Sequence, residues 1–253
     1  MSLSDEVREY YRRVEPFLDA ELADRGDESF WEWAASEPAG CRVLEVGAGT
    51  GRATRFLART AGRVVAFDLA PQLVVLARRR MAPQARVSLF AGDLRCPGVA
   101  ADFDLVVAVD DPFAHLLGDE ERDAGLQAMT ARLASGGRLI LDAAWMSPHG
   151  RRLAKRPEGL VLERFRGGGA DHLRVREEIH CGRGRICDTA LEYARDGETL
   201  ATAAYRSRLW SLAEIRQRSR AAGLVLTHLW GAYDRRPWHR QTSPRLLVEA
   251  RRR

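Results

Sequence analysis

Apolar positions recur at helical spacing at the start of the chain, at Tyr10, Tyr11, Val14, Phe17 and Leu18, and again at Phe30, Trp31 and Trp33. They predict helices over the first forty residues. From Arg42 the pattern changes. Short apolar runs at 42–46, 64–67, 87–90, 103–109 and 138–144 predict strands. Amphipathic stretches between them predict helices, one opening at Pro71 and one running from Asp119 as N-cap to about Ala134. Strand and helix alternate five times, which is the rhythm of a parallel sheet with crossover helices.

After Trp145 the rhythm breaks. Residues 160–166, 172–181, 185–193 and 199–209 read as strands separated by turns such as Gly167-Gly168-Gly169 and Asp196-Gly197. A helix follows over 211–222, with Ser211 as N-cap, Glu214 as its capping-box partner and Gly223 as its stop. The last two strands are expected at 224–230 and 246–250. The predicted fold is a doubly wound, mostly parallel α/β sheet of seven strands with helices on both faces. It carries an N-terminal helical cap (1–40) and a small antiparallel β insertion (146–210), so the α/β domain comprises 41–145 and 211–253.

Composition narrows the class. The chain has 253 residues, 45% hydrophobic and 30% charged, an ordinary globular balance. No run is long and apolar enough for a membrane span, and the charged N-terminus does not read as a secretory signal. Cys41, Cys96, Cys181 and Cys187 form no CxxC pair and stand near no suitably spaced His, so neither a disulfide framework nor a metal site is expected, and a cytoplasmic setting fits. The net charge is +5, and its cations are almost all arginine. Arg164, Arg166, Arg174, Arg176, Arg206 and Arg208 alternate on the inserted strands, either as a solvent face or as an anion-binding surface.

The chemistry gathers at the strand ends, where open α/β sheets bind ligands. The first strand runs into Gly47-Ala48-Gly49-Thr50-Gly51, glycines that let backbone turn sharply and approach a ligand. A dinucleotide fingerprint would need a glycine at position 52, which is Arg. The second strand ends in Asp68-Leu69, where a carboxylate can accept from a ribose diol. The third ends in Gly92-Asp93-Leu94, where Asp93 can accept from an adenine amine with Leu94 against the ring. Each Asp is also a good helix cap. Together the three ends favour a nucleoside ligand.

These residues resemble the class I S-adenosylmethionine-dependent methyltransferases. The resemblance covers Arg42 to Ala144 and rests on VLEVGAGTGRAT, the acid at Asp68, Gly92-Asp93, FDLVVA at 103–108 and the Leu133 to Gly137 turn. It implies S-adenosylmethionine as cofactor. Glu45, Gly47, Ala48, Gly49 and Gly51 would frame its methionine end, Asp68 and Leu69 the ribose, and Asp93 and Leu94 the adenine. The second half is similar to a subgroup that acts on small molecules, in which the N-terminal helices fold over the cofactor and would bring Tyr11 to it.

The fourth strand ends in Asp110-Asp111-Pro112-Phe113-Ala114-His115, facing the transferred methyl. His115 is a candidate base, or a histidine that fixes the loop. Asp111 could orient an amine, or cap a turn. Asp110, Phe113, Trp145, Tyr233 and Trp238 are candidates for the acceptor side, an aromatic wall suited to a flat or cationic molecule. Asp142 lies inside the fifth strand, where a metal would not reach it. The expected activity is methyl transfer to a nitrogen, or oxygen, of a small-molecule acceptor, by a monomer or homodimer off the membrane. The alternatives are an RNA or nucleotide methyltransferase using the arginine-rich face, and a nucleotide-binding oxidoreductase or sensor of the same fold.

Overall fold

A computed structural model describes residues 3–23, 25–81, 86–100, 102–166 and 172–252. The Gly167–Gly169 turn lies outside them. Three helices come first: α1 (Leu3–Val14), α2 (Leu18–Leu22) and α3 (Glu28–Ser36). The alternating segment follows as β1 (Arg42–Val46), α4 (Arg52–Thr60), β2 (Arg63–Asp68), α5 (Pro71–Arg80), β3 (Val87–Ala91), β4 (Phe103–Ala108), α6 (Asp119–Thr130) and β5 (Leu133–Ala143). Then come α7 (Pro148–Leu153), strands β6 (Leu160–Arg166), β7 (Leu173–Cys181), β8 (Ile186–Arg195) and β9 (Glu198–Arg208), and finally α8 (Leu212–Ala221), β10 (Leu224–Trp230) and β11 (Leu246–Arg252).

The main sheet has seven strands in the order β10-β11-β5-β4-β1-β2-β3, with β11 antiparallel to both neighbours. The chain moves outward from β1 through β2 to β3, then returns to lay β4 on the other side of β1. The order therefore reverses between β1 and β4, and their C-terminal ends open the crevice where such sheets bind ligands.

Side-chain alternation divides the core in two. Val43, Leu105, Val107 and Ile140 pack with Trp31, Phe56 and Leu57 on one face of the sheet. Leu44, Val106, Leu139 and Leu141 pack with Phe113, Leu126 and Trp210 on the other. These strands are buried on both faces, which is why they read as continuous apolar runs.

The four-stranded antiparallel sheet β6-β7-β8-β9 leaves the main sheet after β5 and rejoins it before α8. Part of its inner face, Leu173, Val175, Leu191, Tyr193 and Ala203, packs under Val14, Phe17 and Leu18 of the N-terminal segment. Two expectations are revised here. Arg164 lies on the inner face, opposite Val175, and pairs with Glu177 at 2.7 Å, whereas Arg174, Arg176 and Arg206 lie on the outer face. Cys181 and Cys187 sit directly opposite across β7 and β8 and form a disulfide. Their six-residue separation carries no sequence signature; only hairpin register brings them together.

Helix ends also differ in detail. Gly118 is the N-cap of α6, and the Glu121 carboxylate accepts from its backbone N–H at 3.3 Å, so Asp119 is the first helical residue. Ser211 caps α8 as expected, accepting from Glu214 N at 3.2 Å. The Glu214 carboxylate is held by Arg185, Arg208 and Arg218. Among the described residues no helix is long and apolar enough to cross a membrane.

Candidate active site

A cavity of about 630 Å³ lies beyond the ends of β1, β2, β3 and β4, under α1 and α2 and against the inner face of the small sheet. Its floor is the β1–α4 loop. Gly47, Gly49 and Gly51 all have positive φ, at +75°, +55° and +83°. A Cβ on Gly47 would meet Pro112 at 3.0 Å, and one on Gly51 would meet Ala77 at 3.0 Å. A Cβ on Gly49 would meet nothing within 4 Å. The outer glycines thus permit close packing, while the middle one presents bare backbone to open space.

Asp68 closes this loop from the next strand. One of its oxygens accepts from Gly49 N and the other from Ala70 N, both at 2.8 Å. Burial pushes its carboxyl above the ordinary value despite these bonds. Each oxygen keeps a lone pair for a ribose hydroxyl. Glu45 is fully buried beside it. Its Oε2 accepts from Thr54 Oγ1 at 2.5 Å, and its Oε1 has no partner. Burial pushes Glu45 up to about 8. An orphaned buried carboxylate oxygen is costly unless a ligand donor meets it, and the ammonium of a methionine group would do so. Ala48, Leu69 and Leu94 also line the cavity.

Asp93 accepts from Arg95 N and Nε at 2.9 and 3.0 Å, and Arg95 also reaches Glu121 and Ser4 of α1. Burial raises the Asp93 carboxyl, but Arg95 outweighs it and the net shift is downward. The carboxylate is therefore ionised at neutral pH, ready to accept from an exocyclic amine.

At the end of β4 two consecutive non-glycine residues have positive φ, Asp110 at 56° and Asp111 at 46°. Such backbone costs of order 1–3 kcal/mol per residue and is kept where the surroundings impose it. Asp111 imposes part of it. Its buried carboxylate accepts from Phe113 N at 3.1 Å and Ala144 N at 2.6 Å, tying the turn to the end of β5. Burial pushes Asp111 up to about 7. Pro112 is thereby set against Gly47, and His115 faces the cavity.

His115 and Tyr11 meet there although 104 positions separate them. The Tyr11 hydroxyl lies 3.1 Å from His115 Nε2. The Arg206 backbone favours the charged ring, and in the neutral tautomer that keeps its proton on Nδ1, Nε2 accepts from Tyr11. Burial pushes His115 down to about 4, which keeps the imidazole neutral. Tyr10 and Tyr205 complete an aromatic surround, with ring centroids 6.1 and 5.8 Å from His115.

The structure separates the expected acceptor-side residues. Asp110 and Trp145 line the cavity. Phe113 is fully buried behind the turn against Trp210, because the Asp111 cap directs it into the core. Tyr233 donates to Asp142 at 2.7 Å and packs against Phe30 and Trp31. Trp238 stands edge-on behind Trp145, at 5.2 Å. These three lie outside the lining of the cavity.

Sequence reasoning missed Arg25 and Arg52, the cations that a ligand carboxylate at the methionine end would meet. Arg25 pairs with Asp110, and Arg52 with Asp27 at 2.5 Å. Arg52 had a visible signal, as the residue replacing the glycine of a dinucleotide loop. Arg25 had none, since only the docking of the cap brings it here. The outer arginines of the small sheet are paired with acids, including Arg174 with Glu163 and Glu192 and Arg206 with Asp188, which breaks up any continuous basic face.

Strand order, glycine loop and acidic strand ends define the fold of the class I S-adenosylmethionine-dependent methyltransferases. Residues 43–137 match the family described as a methyltransferase domain. The chain is similar to the cypemycin N-terminal methyltransferase of a Streptomyces species, 28% identical over 83% of this chain and 82% of that protein. It is 47% identical over 73 residues to the magnesium-protoporphyrin O-methyltransferase of Rhodobacter capsulatus, a match covering 28% of this chain and 32% of that protein. A solved S-adenosylmethionine-bound amino pentose methyltransferase from Micromonospora echinaspora superposes with a TM-score of 0.73 at 24% identity, over 93% of this chain and 96% of the other. The chain thus has the class I methyltransferase fold and carries a methyltransferase domain over residues 43–137.

The buried Glu45 carries a pH prediction. Protonated below about pH 8 in the free chain, it must ionise to pair with a ligand ammonium. Affinity for S-adenosylhomocysteine is expected to rise with pH up to about 8, with proton release in calorimetry across buffers of different ionisation enthalpy. Glu45→Gln should abolish that release. The same shift makes the free chain lose stability as pH climbs from 4.5 towards 8, because the unfolded carboxyl ionises first.

Proposed function

We propose that this chain transfers a methyl group from S-adenosylmethionine to a nitrogen of a small-molecule acceptor. The observation that carries the reading is the pair of buried carboxylates, Glu45 with a free oxygen and Asp68 with free lone pairs, flanking the open backbone of Gly49. A pyrophosphate would meet repulsion there; an adenosyl group with an ammonium tail is matched to it.

When bound, the cofactor supplies an electrophilic methyl group on a sulfonium. The remaining work is done by side chains of this chain. Asp68 and Glu45 fix the direction in which the sulfonium points, and the cap helices exclude water above it. The Tyr11 hydroxyl, committed as donor to His115, turns its oxygen lone pairs towards the cavity and can accept from an acceptor N–H, aiming the nitrogen lone pair. Asp111, pushed up to about 7, is matched to take the proton that an ammonium sheds before attack.

The same values favour nitrogen over oxygen. An alcohol must lose a far more tightly held proton, and His115 at about 4 is too weak a base to take it. An amine needs only to arrive neutral. Both the cypemycin enzyme and the amino pentose enzyme are named for nitrogen-bearing acceptors, in keeping with this reading.

Thermal shift tests the cofactor directly. At a hundred times its dissociation constant a ligand stabilises by about 2.7 kcal/mol, or about 5–10 °C for a chain of this size. S-adenosylhomocysteine should give that shift and NAD none. The reverse pattern overturns the proposal.

A further inference from the structure

The wall of the cavity opposite the glycine loop is built by the inner face of the small sheet, and its composition speaks to the acceptor. Register places Leu160, Ile179, Thr189 and Tyr205 in one cross-strand row, with Cys187 and Ser207 in the next. All six line the cavity and none is charged. The polar groups of these two rows are the hydroxyls of Thr189, Ser207 and Tyr205, with Thr189 hydrogen-bonded to Tyr205. Trp145 and Met146 extend the apolar surface beyond the end of β5.

The lining holds six acidic residues, Glu21, Glu45, Asp68, Asp93, Asp110 and Asp111, against three arginines, and burial pushes Glu45 and Asp111 towards their neutral forms, up to about 8 and about 7. Arg25 and Arg52 stand at the methionine end, paired with Asp110 and Asp27. Arg95 stands at the adenine end, paired with Asp93 and Glu121. No described cation lines the sheet wall. Phosphate groups are bound by guanidinium forks or clustered N–H donors, and a diphosphate on this wall would meet neither, since each lining arginine stands elsewhere and is already paired with an acid.

We infer that the acceptor is a phosphate-free amine on a largely apolar body, seated on the inner face of the small sheet, rather than a nucleotide-linked sugar. This rests on the methyltransferase reading above. Asp111 can take a proton from the amine, the aromatic side chains suit its charge, and the Leu160–Ile179 row takes the apolar body.

The test uses the full chain loaded with S-adenosylhomocysteine and three probes in calorimetry: 4-phenylbutylamine, 4-phenylbutan-1-ol and thymidine 5′-diphosphate. The amine should bind about tenfold or more tighter than the alcohol, and the diphosphate should give no heat where the amine saturates. Leu162, exposed on the edge strand and also on the lining, tolerates a charge. Leu162→Lys should weaken the amine about tenfold while leaving S-adenosylhomocysteine affinity within about twofold. Equal binding of amine and alcohol, or a diphosphate that competes with the amine, overturns the inference. Failure of S-adenosylhomocysteine to bind overturns the cofactor reading instead, and the same probes titrated into the free chain still decide the acceptor class.

Discussion

Asp68→Ala is expected to lower affinity for S-adenosylhomocysteine by about 100-fold. Two charge-assisted hydrogen bonds to a ribose diol contribute about 1.5–3 kcal/mol each, and part of that is regained by water, leaving about 2.7 kcal/mol. The substitution also releases Gly49 N and the buried Ala70 N, two donors that Asp68 satisfies, so the loop loosens as the ribose contact goes. Asp68→Asn keeps the shape and one acceptor oxygen and should fall between, at about tenfold. Calorimetry on the three proteins gives the ranking. Affinities within twofold of one another would remove Asp68 from the cofactor site, leaving it a loop tie only.

The second large effect concerns turnover. On the proposed reading, in which Tyr11 aims the acceptor and is not one of the cofactor contacts first expected of it, Tyr11→Phe and His115→Ala should each lower kcat about 10- to 100-fold with cofactor affinity nearly unchanged. The double variant should be little worse than either single one. Tyr11 is aimed by its bond to His115 Nε2, and His115 acts through that bond, so removing one disables the other. Multiplicative losses would mean that the two act independently. A separate readout comes from acid titration: the folded imidazole, at about 4 against 6.5 unfolded, makes the chain lose stability as pH falls across that window, and His115→Ala should flatten the loss.

Both predictions depend on residues brought together from distant segments, and they differ in how visible they were in the sequence. Asp68 was visible. It ends an apolar run, follows a glycine-rich loop at the spacing of one βα unit, and its position needs only strand-to-strand adjacency. The same holds for Glu45, Gly47, Gly49, Gly51 and Asp93, each within a residue or two of a strand end. His115 and Asp111 were visible as candidates, but their partners were not. The Asp111 bond to Ala144 N crosses from β4 to β5, and the His115 bond to Tyr11 crosses from the sheet to the cap. Phe113, Tyr233 and Trp238 illustrate the converse error. An aromatic near a strand end has no sequence mark that says whether it turns into the cavity or into the core.

Hydrophobic periodicity by itself determined the alternation of β1 to β5, the four inserted strands and the return to α8, β10 and β11, because backbone hydrogen bonding and burial impose periods of two and 3.6 on any chain that folds this way. It also determined which acids stand at strand ends. The tertiary structure alone decided the rest: the Cys181–Cys187 bridge, the inward turn of Arg164, the placing of Arg25, and the meeting of Tyr11 with His115. Those depend on strand register and on how the cap seats on the small sheet. Such long-range contacts gain free energy from many burial terms at once, and no local pattern of residues encodes them.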